Sequence, residues 1–340
     1  MAASLVDSYG RKITYLRVSL TDACNFKCVY CVPPNGFSSL AHSACLNREE
    51  IVRFICLAST VGINRVRLTG GEPLLRHDIV EIVRDIKKDT VIKDVSITTN
   101  GSRLTPLLKP LKEAGLDRIN ISFDSLDPAR FKKVTLSNAY HQVLESVQEA
   151  LGAGFPIKLN MVALKGLSAE EIIRFVQLAF DYPLEVRFLE FMPLCGSGWS
   201  SELVFPMADI RGIVNNRFTL AEEADRKDQV AQTFSITGGK GKVGFIGSLT
   251  ESFCDQCSRI RMTADGRIRP CLFSEVEVPL GQLLRQNAED EEIIAVLREA
   301  VRIKPAGNQF LIQPFQLHHD NNIEKLTIES SKVVMRSLGG

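Results

Sequence analysis

The sequence lacks three features that would each point to a broad class of protein. No apolar run reaches the roughly 20 residues that a membrane-spanning helix needs. The formal net charge is only +1, so no overall field attracts nucleic acid or an anionic membrane. The first residues show no basic segment followed by an apolar stretch, so no secretory signal is visible. We therefore expect neither a nucleic-acid nor a membrane partner. We predict a cytoplasmic location, or the mitochondrial matrix if the source is eukaryotic.

Cysteine is present, but in an odd number and unevenly placed. Without a secretory signal, nine cysteines predict reduced thiols instead of a disulfide framework. Six of them form two groups of three: Cys24, Cys28 and Cys31, then Cys254, Cys257 and Cys271. Each group is one ligand short of the four that usually hold an iron–sulfur cluster. A missing ligand leaves one iron open, so we predict two sites that each bind a different molecule. For the other three, Cys45, Cys56 and Cys195, we expect simple burial.

Six strand-like runs alternate with helical segments in the first part of the chain. The runs are Leu16–Leu20, Arg65–Thr69, Asp94–Thr98, Arg118–Phe123, Ile157–Ala163 and Glu185–Phe191. Asn47 with Glu50, and Ser168 with Glu171, predict capping boxes at two of the helix starts. Helices between successive strands predict right-handed βαβ units and a parallel sheet, hence an α/β fold. Six units suit either an open doubly wound sheet or a TIM-type barrel that is incomplete at six of eight strands.

Residues with chemical potential fall just past the predicted strand ends. They include the first cysteine group, the Gly70-Gly71-Glu72-Pro73 stretch, Asp124 and Met192. Because the carboxyl ends of parallel strands share one edge, this placement predicts a single site. After Pro193 the alternation stops, with a short strand predicted at Val243–Ile246 and a helix at Glu289–Val301.

The first cysteine group has a specific spacing. A structural zinc site would want a fourth cysteine or histidine nearby, and His42 and Cys45 are poorly spaced for that role. Cys24-x-x-x-Cys28-x-x-Cys31, with Tyr30 before the last cysteine, resembles the radical S-adenosylmethionine (SAM) superfamily. Gly70 to Pro73 is similar to that superfamily's glycine motif, which lies against the methionine amine. The resemblance implies a [4Fe–4S] cluster whose open iron chelates SAM and whose electron releases a 5′-deoxyadenosyl radical.

The second cysteine group narrows the resemblance. Zinc with a distant fourth ligand stays an alternative here, but Arg259 and Arg261 lie beside the cysteines, and guanidinium forks suit phosphate oxygens. The stretches Phe253–Arg261, Cys271-Leu272-Phe273, Val186–Pro193 and the terminal Gly339-Gly340 resemble the family of molybdenum cofactor biosynthesis protein A, the GTP 3′,8-cyclases. This resemblance implies an incomplete (βα)6 TIM-type barrel at residues 1–193. It further implies a C-terminal extension at 194–340 that carries a second [4Fe–4S] cluster and the Gly-Gly tail.

The resemblance also implies a reaction, the first step of molybdenum cofactor biosynthesis. The radical abstracts hydrogen from C3′ of GTP, and the carbon radical attacks C8 to give (8S)-3′,8-cyclo-7,8-dihydroguanosine 5′-triphosphate. The implied SAM residues are Tyr30, Gly71, Ser122 and Met192. The implied GTP residues are Arg17, Arg65, Arg67, Thr98, Lys158, Arg187, Arg259, Ile260 and Arg261, with the tail residues Gly339 and Gly340. The implied catalytic set is Cys24, Cys28, Cys31, Arg17, Arg259 and Arg261.

Partners follow from the same resemblance. The expected partners are GTP, an electron donor (a reductant protein or a small molecule) and the downstream enzyme cyclic pyranopterin monophosphate synthase. Direct contact with that enzyme is not visible in the residues. The family is often dimeric, so a homodimer is a further expectation, although no interface pattern is visible in the sequence.

Several predicted strands direct basic side chains toward the barrel interior. A buried guanidinium needs a partner that offsets its desolvation, and a triphosphate would supply several charges. The alternative is an internal salt bridge to Glu72, Asp124 or Glu190. Two other functions also compete. A radical SAM peptide-modifying enzyme would usually carry more cysteines near the C-terminus, and a zinc-stabilised binding module would not explain why both groups lack a fourth ligand.

Overall fold

A computed structural model describes residues 4–33, 39–194, 198–223 and 230–307. The helices in these residues are α1 (Arg48–Thr60), α2 (Ile79–Asp89), α3 (Leu108–Glu113), α4 (Pro128–Thr135), α5 (Tyr140–Gly152), α6 (Ala169–Asp181), α7 (Met207–Asn215), α8 (Gly281–Arg285) and α9 (Asp290–Arg302). The strands are β1 (Tyr15–Ser19), β2 (Arg65–Thr69), β3 (Asp94–Thr99), β4 (Arg118–Ser122), β5 (Ile157–Ala163), β6 (Glu185–Glu190), β7 (Leu220–Glu222), β8 (Gln232–Ile236), β9 (Lys242–Ile246), β10 (Arg259–Met262), β11 (Arg267–Arg269) and β12 (Val278–Pro279). None of the described helices is both long and apolar enough to cross a bilayer.

One sheet contains all of these strands in the order β12-β11-β10-β1-β2-β3-β4-β5-β6-β9-β8-β7. The six predicted strands pair in parallel from β1 to β6, which confirms the (βα)6 partial barrel. Two further strands extend it in parallel: β10 alongside β1 and β9 alongside β6. In the described part of the chain β9 and β10 do not pair with each other, because the outer edge of each pairs with an antiparallel strand, β8 for β9 and β11 for β10. The barrel is therefore open between them.

The strand predicted at Val243–Ile246 is β9, and the helix predicted at Glu289–Val301 is α9. The sequence did not reveal that β9 and β10 join the parallel sheet, since neither follows a helix in a recognisable βα unit. Because the sheet runs across the residue 193/194 boundary, the two predicted regions share one set of strand pairs. That division into two domains stays a prediction.

Of the two predicted capping boxes, the one at α1 has both of its hydrogen bonds and the one at α6 has only one of them. The Asn47 side chain accepts from the Glu50 amide, and the Glu50 side chain accepts from the Asn47 amide, as predicted for α1. At α6 the Ser168 side chain accepts from the Glu171 amide. The reciprocal bond predicted there is wrong, because the Glu171 carboxylate accepts from the Leu126 amide and pairs with Arg130 at 3.3 Å. A tertiary contact has replaced the local one.

Candidate active site

A first cavity lies at the carboxyl ends of β1 to β4. It is lined by Cys24, Phe26, Cys28, Tyr30, Cys31, Val32, Thr69, Gly70, Gly71, Thr98, Thr99, Asn100 and Ser122. The three cysteines of the first group are therefore gathered at one cavity, as their spacing predicts. Three of the four residues expected at SAM, namely Tyr30, Gly71 and Ser122, line the same cavity. Thr98, expected at GTP, also lines this first cavity.

The glycine stretch holds the first cysteine segment in place. The amide of Gly71 donates to the Thr21 carbonyl at 2.6 Å, and the amide of Glu72 donates to the Ala23 carbonyl at 2.7 Å. A Cβ atom on Gly71 would lie only 2.2 Å from the Ala23 carbonyl oxygen, closer than any real contact. Glycine is therefore required here because two backbones approach each other directly. The sequence explained these glycines by the approach of a ligand, and the structure adds the approach of the segment that precedes Cys24.

Three buried carboxylates near the strand ends are occupied by hydrogen-bond donors. Glu72 accepts from the Thr99 hydroxyl at 2.7 Å and the Asn100 amide at 2.6 Å. Burial raises the pKa of Glu72 to about 7 in spite of these donors. Asp124 accepts from the Tyr30 hydroxyl at 2.6 Å, and Glu190 accepts from the Leu249 amide at 2.8 Å. The predicted alternative, in which these carboxylates pair with the interior cations, is wrong because turn amides and hydroxyls saturate them.

A second cavity contains the second cysteine group. Its lining residues are Arg17, Leu189, Met192, Val230, Ile246, Ser248, Phe253, Cys254, Cys257, Arg259, Arg261, Pro270, Cys271, Leu272, Phe273 and Lys304. The two arginines that follow Cys257 thus share a cavity with Arg17 from β1, although more than two hundred positions separate them in the sequence. Met192, expected at SAM, lines this second cavity and not the first. Lys304 is a member that sequence reasoning missed.

Three arginines stand side by side on three adjacent strands. In the parallel register Arg17 on β1 lies opposite Arg67 on β2 and opposite Arg261 on β10. Arg67 is 7% exposed and Arg261 is 4% exposed. The Nε atoms of all three are buried without a hydrogen-bond partner, and in the described residues no carboxylate forms an ion pair with them. Like charges placed directly opposite one another are destabilising, so this row favours an anion between its members.

Tyr15 lies on the same face of β1 as Arg17, two residues earlier in the strand. It lies between Arg259 on β10 and Arg65 on β2. Its ring centroid is 5.2 Å from the Arg65 guanidinium, 5.5 Å from that of Arg67 and 5.9 Å from that of Arg17. Cation–π contacts of this kind offset part of the repulsion. The Tyr15 hydroxyl is buried without a hydrogen-bond partner.

Electrostatics in this region favour negative charge. Burial alone would raise the pKa of Tyr15, but the charges of Arg67 and Arg17 outweigh it and lower that pKa to about 8. Burial, followed by the charges of Arg261 and Arg67, holds the pKa of Arg17 well below its usual range. Sequence reasoning missed Tyr15, although the signal was available: it precedes Arg17 by two residues, so the two share a strand face.

Three other cations of the sheet already have carboxylate partners. Lys158 on β5 and Arg187 on β6 each lie 2.5 Å from Glu185, and Arg118 lies 2.5 Å from Asp94. The charges of Arg187 and Lys158 overcome the burial of Glu185 and lower its pKa to about 2. Burial and the charge of Arg187 lower the pKa of Lys158 to about 8. Lys158 and Arg187 therefore do form internal salt bridges, as the alternative predicts, but with Glu185 and with none of the three predicted carboxylates.

Other expected residues fall elsewhere. Ile260 is fully buried in the hydrophobic core, because alternation along β10 turns its side chain away from Arg259 and Arg261. The expectation that Cys45 and Cys56 are buried is wrong, since both are only half-buried: one precedes α1 and the other lies within it. Cys195 and the tail residues Gly339 and Gly340 lie outside the described residues.

Each cysteine group offers a donor set that suits an iron–sulfur cluster. Each group of three thiols lines one cavity. Thiolates are the usual ligands of such clusters. The charges of Arg259 and Lys304 outweigh burial and lower the pKa of Cys257 to about 6, which favours its thiolate. The donor set is therefore suitable in both cavities.

Comparison with known proteins gives a consistent result. The family model of the radical SAM superfamily matches residues 18–179, and that of Molybdenum Cofactor Synthesis C matches residues 184–310. A GTP 3′,8-cyclase of Syntrophomonas wolfei is 40% identical over 94% of this chain and 95% of its own length. A mitochondrial GTP 3′,8-cyclase of Arabidopsis thaliana is 42% identical over 89% of this chain and 78% of its own length.

Among solved structures, Streptococcus suis SuiB bound to S-adenosylmethionine superposes with a TM-score of 0.61. The match covers 85% of this chain and 69% of SuiB. At 15% identity this likeness shows the fold alone.

Proposed function

Because this chain belongs to the GTP 3′,8-cyclase family within the radical SAM superfamily, we propose that its two cysteine-lined cavities divide the reaction between SAM and GTP. The enzyme is a lyase that converts GTP to (8S)-3′,8-cyclo-7,8-dihydroguanosine 5′-triphosphate, the first step of molybdenum cofactor biosynthesis. SAM and one [4Fe–4S] cluster are its cofactors. When bound, that cluster supplies the electron that cleaves SAM, and the resulting radical takes hydrogen from C3′ of GTP.

The first cavity is the proposed SAM site. Cys24, Cys28 and Cys31 would hold the cluster and leave its fourth iron for the methionine group. The hydrogen bond from the Tyr30 hydroxyl to Asp124 fixes the tyrosine ring against the cavity. Gly71 and Ser122 would contact SAM from the ends of β2 and β4. Met192 would approach SAM from the side of the second cavity.

The second cavity and the arginine row beside it are the proposed GTP site. Cys254, Cys257 and Cys271 would hold a second [4Fe–4S] cluster with an open iron for the purine. The observation that carries this proposal is the row of Arg261, Arg17 and Arg67, three adjacent cations whose Nε atoms are buried without a hydrogen-bond partner and which form no ion pair with a carboxylate among the described residues. A triphosphate of about four negative charges would relieve their repulsion, with roughly 1.5–3 kcal/mol for each charge-assisted hydrogen bond.

The remaining basic residues contribute less in this proposal. Arg259 would act with Arg261 beside the second cluster, and the Tyr15 hydroxyl would donate to a phosphate oxygen. Lys158 and Arg187 already share Glu185, so their contact with phosphate would be shared with that carboxylate. Arg65 and Thr98 complete the proposed set, together with the backbone of Ile260. Contact of Gly339 and Gly340 with the cavity stays a prediction.

The central test is to incubate anaerobically prepared, chemically reduced protein with GTP and SAM and to identify the nucleosides by mass. We expect 5′-deoxyadenosine and a cyclised dihydro-GTP in matched amounts. Iron and sulfide analysis should give about eight irons per chain, because two clusters of four are proposed. About four irons with one zinc would contradict the second cluster, and peptide modification without GTP cyclisation would favour the alternative enzyme class.

A matched pair of triple variants separates the two sites. Replacing Cys254, Cys257 and Cys271 by alanine should leave SAM cleavage by the first site while abolishing GTP cyclisation. Replacing Cys24, Cys28 and Cys31 by alanine should abolish both. Four expectations stay predictions: the electron donor, contact with cyclic pyranopterin monophosphate synthase, a homodimer, and a cytoplasmic or mitochondrial location.

A further inference from the structure

Lys304 occupies an unusual position for a lysine, just beyond the end of α9. Lys304 is only 3% exposed. Its Nζ donates to the carbonyl of Arg259 at 2.9 Å and to the carbonyl of Pro270 at 2.8 Å. Arg259 comes two residues after Cys257, and Pro270 immediately precedes Cys271. One ammonium group therefore ties together two segments that carry cysteines of the second group.

Arg11 makes the corresponding connection to Cys254, the remaining cysteine of the second group. One of its Nη atoms donates to the carbonyl of Cys254 at 2.8 Å and to that of Ala306 at 2.6 Å, and the other donates to Pro305 at 2.5 Å. Arg11 is itself held by Asp7, with 2.6 Å between Nε and a carboxylate oxygen. The short segment at residues 304–306 is thus joined to all three cysteine-bearing segments.

The charge of Lys304 is not offset as that of Arg11 is. Both of its acceptors are neutral carbonyls. Burial lowers the pKa of Lys304, and negative charge on Cys257 and Cys271 would oppose that shift. A buried ammonium is strongly destabilising unless it is compensated by an anion. Three thiolates together with a cluster provide that anion, whereas three neutral thiols do not.

We propose that Lys304, together with Arg11, is a positioning residue for the second cluster of the proposed GTP site. Its two carbonyl contacts hold the ligand segments at a fixed separation, and its charge stabilises the more negative, reduced state of the cluster. Outer contacts of this kind commonly change metal affinity by about 10- to 100-fold. The inference rests on the proposed second cluster, and no ligand role for Lys304 is implied.

The test uses the full-length chain with Cys24, Cys28 and Cys31 replaced by alanine, so that only the second cluster contributes. In this parent we compare Lys304→Met with Lys304→Arg. We expect Lys304→Met to release iron to a chelator about 10-fold faster than the parent. We also expect its midpoint potential, followed by electron paramagnetic resonance during a redox titration, to become more negative. Lys304→Arg keeps the charge and should restore most of the potential, although it disturbs the two carbonyl contacts.

The control is Arg302→Gln, two residues earlier on α9. Arg302 is exposed and, among the described residues, its side chain pairs with Glu299 alone, so this loss of a positive charge should change neither measurement. Unchanged potential and iron release in Lys304→Met would overturn the inference. If that variant does not fold, Lys304→Arg decides the matter, because iron release at the parent rate would then overturn it. A parent chain without a four-iron signature would overturn the second cluster and this inference together, which distinguishes the two failures.

Discussion

Arg17 and Arg67 lie directly opposite each other on adjacent parallel strands, and neither Nε has a hydrogen-bond partner. Arg261 repeats this relationship on the other side of Arg17. Neighbouring strands are only about 4.8 Å apart, so the three charges repel each other unless an anion lies among them. The row therefore lowers the stability of the empty protein and raises its affinity for a polyanion.

The first prediction concerns this balance. Arg67→Met should weaken GTP binding by about 10- to 100-fold, since it removes one charge-assisted interaction. The same substitution should raise the free energy of unfolding of the GTP-free protein by about 1 kcal/mol, because a buried, unpaired charge is replaced by an apolar side chain. Calorimetry of GTP binding and urea unfolding measure the two effects.

Arg118→Met is the matched control. Arg118 pairs with Asp94 at 2.5 Å, so its removal leaves a carboxylate without its partner and should destabilise the protein. If Arg67→Met destabilises the protein in the same way, the row has a structural role and does not serve an anion.

The second prediction concerns pH. The pKa of Tyr15 is lowered to about 8, so the side chain becomes negative as the pH rises through this value. A phenolate among the arginines competes with triphosphate. GTP affinity should therefore be constant below about pH 8 and fall above it, by up to about tenfold per pH unit. Titration calorimetry from pH 7 to 9.5 measures this slope.

Tyr15→Phe separates Tyr15 from Lys158, whose pKa is also lowered to about 8 and whose charge is lost over the same range. The variant keeps the ring that faces the arginines, so its fold should be intact. Its GTP affinity should fall less steeply above pH 8 than that of the wild type. An identical slope in the two proteins would assign the whole effect to Lys158.

The third prediction concerns the glycine stretch. Gly71→Ala places a Cβ atom 2.2 Å from the Ala23 carbonyl oxygen, so the loop that leads to Cys24 must move. We expect the variant to lose most of its first cluster, seen as a fall of about four irons per chain. Gly152→Ala at the end of α5 is the control, because its added Cβ meets nothing within 4 Å. Full iron content in Gly71→Ala would show that the loop tolerates the displacement.

The fourth prediction concerns the first cysteine group. Cys28→Ala should abolish formation of 5′-deoxyadenosine and leave GTP affinity within about threefold of the wild type, since the arginine row is untouched. Cys56→Ala, in α1 and outside the lining of both cavities, should change neither quantity. Chromatographic detection of 5′-deoxyadenosine gives the readout, and continued SAM cleavage in Cys28→Ala would refute the proposed ligand role.

The sequence was sufficient wherever the deciding contacts are local. The alternation that defines β1 to β6 and the Asn47–Glu50 capping box depend on neighbours along the chain, and both were predictable. The cysteine spacings indicated that each group of three would gather at one place, and each does line one cavity. The cluster in the second cavity stays a prediction. Contacts between distant segments were not predictable: the register that places Arg261 beside Arg17, the pairing of Glu185 with two cations, and the placement of Lys304 all depend on tertiary structure.

The strand order has a consequence for the way the chain is made. The outer neighbours of β1 and β6 are β10 and β9, which come from the last third of the sequence. Until the ribosome has released residues 242–262, β1 and β6 are edge strands of the nascent sheet. Their unpaired amides and carbonyls can then bind strands of other chains. A fragment that stops at residue 193 should therefore aggregate. Adding the missing half as a separate polypeptide during refolding should rescue it.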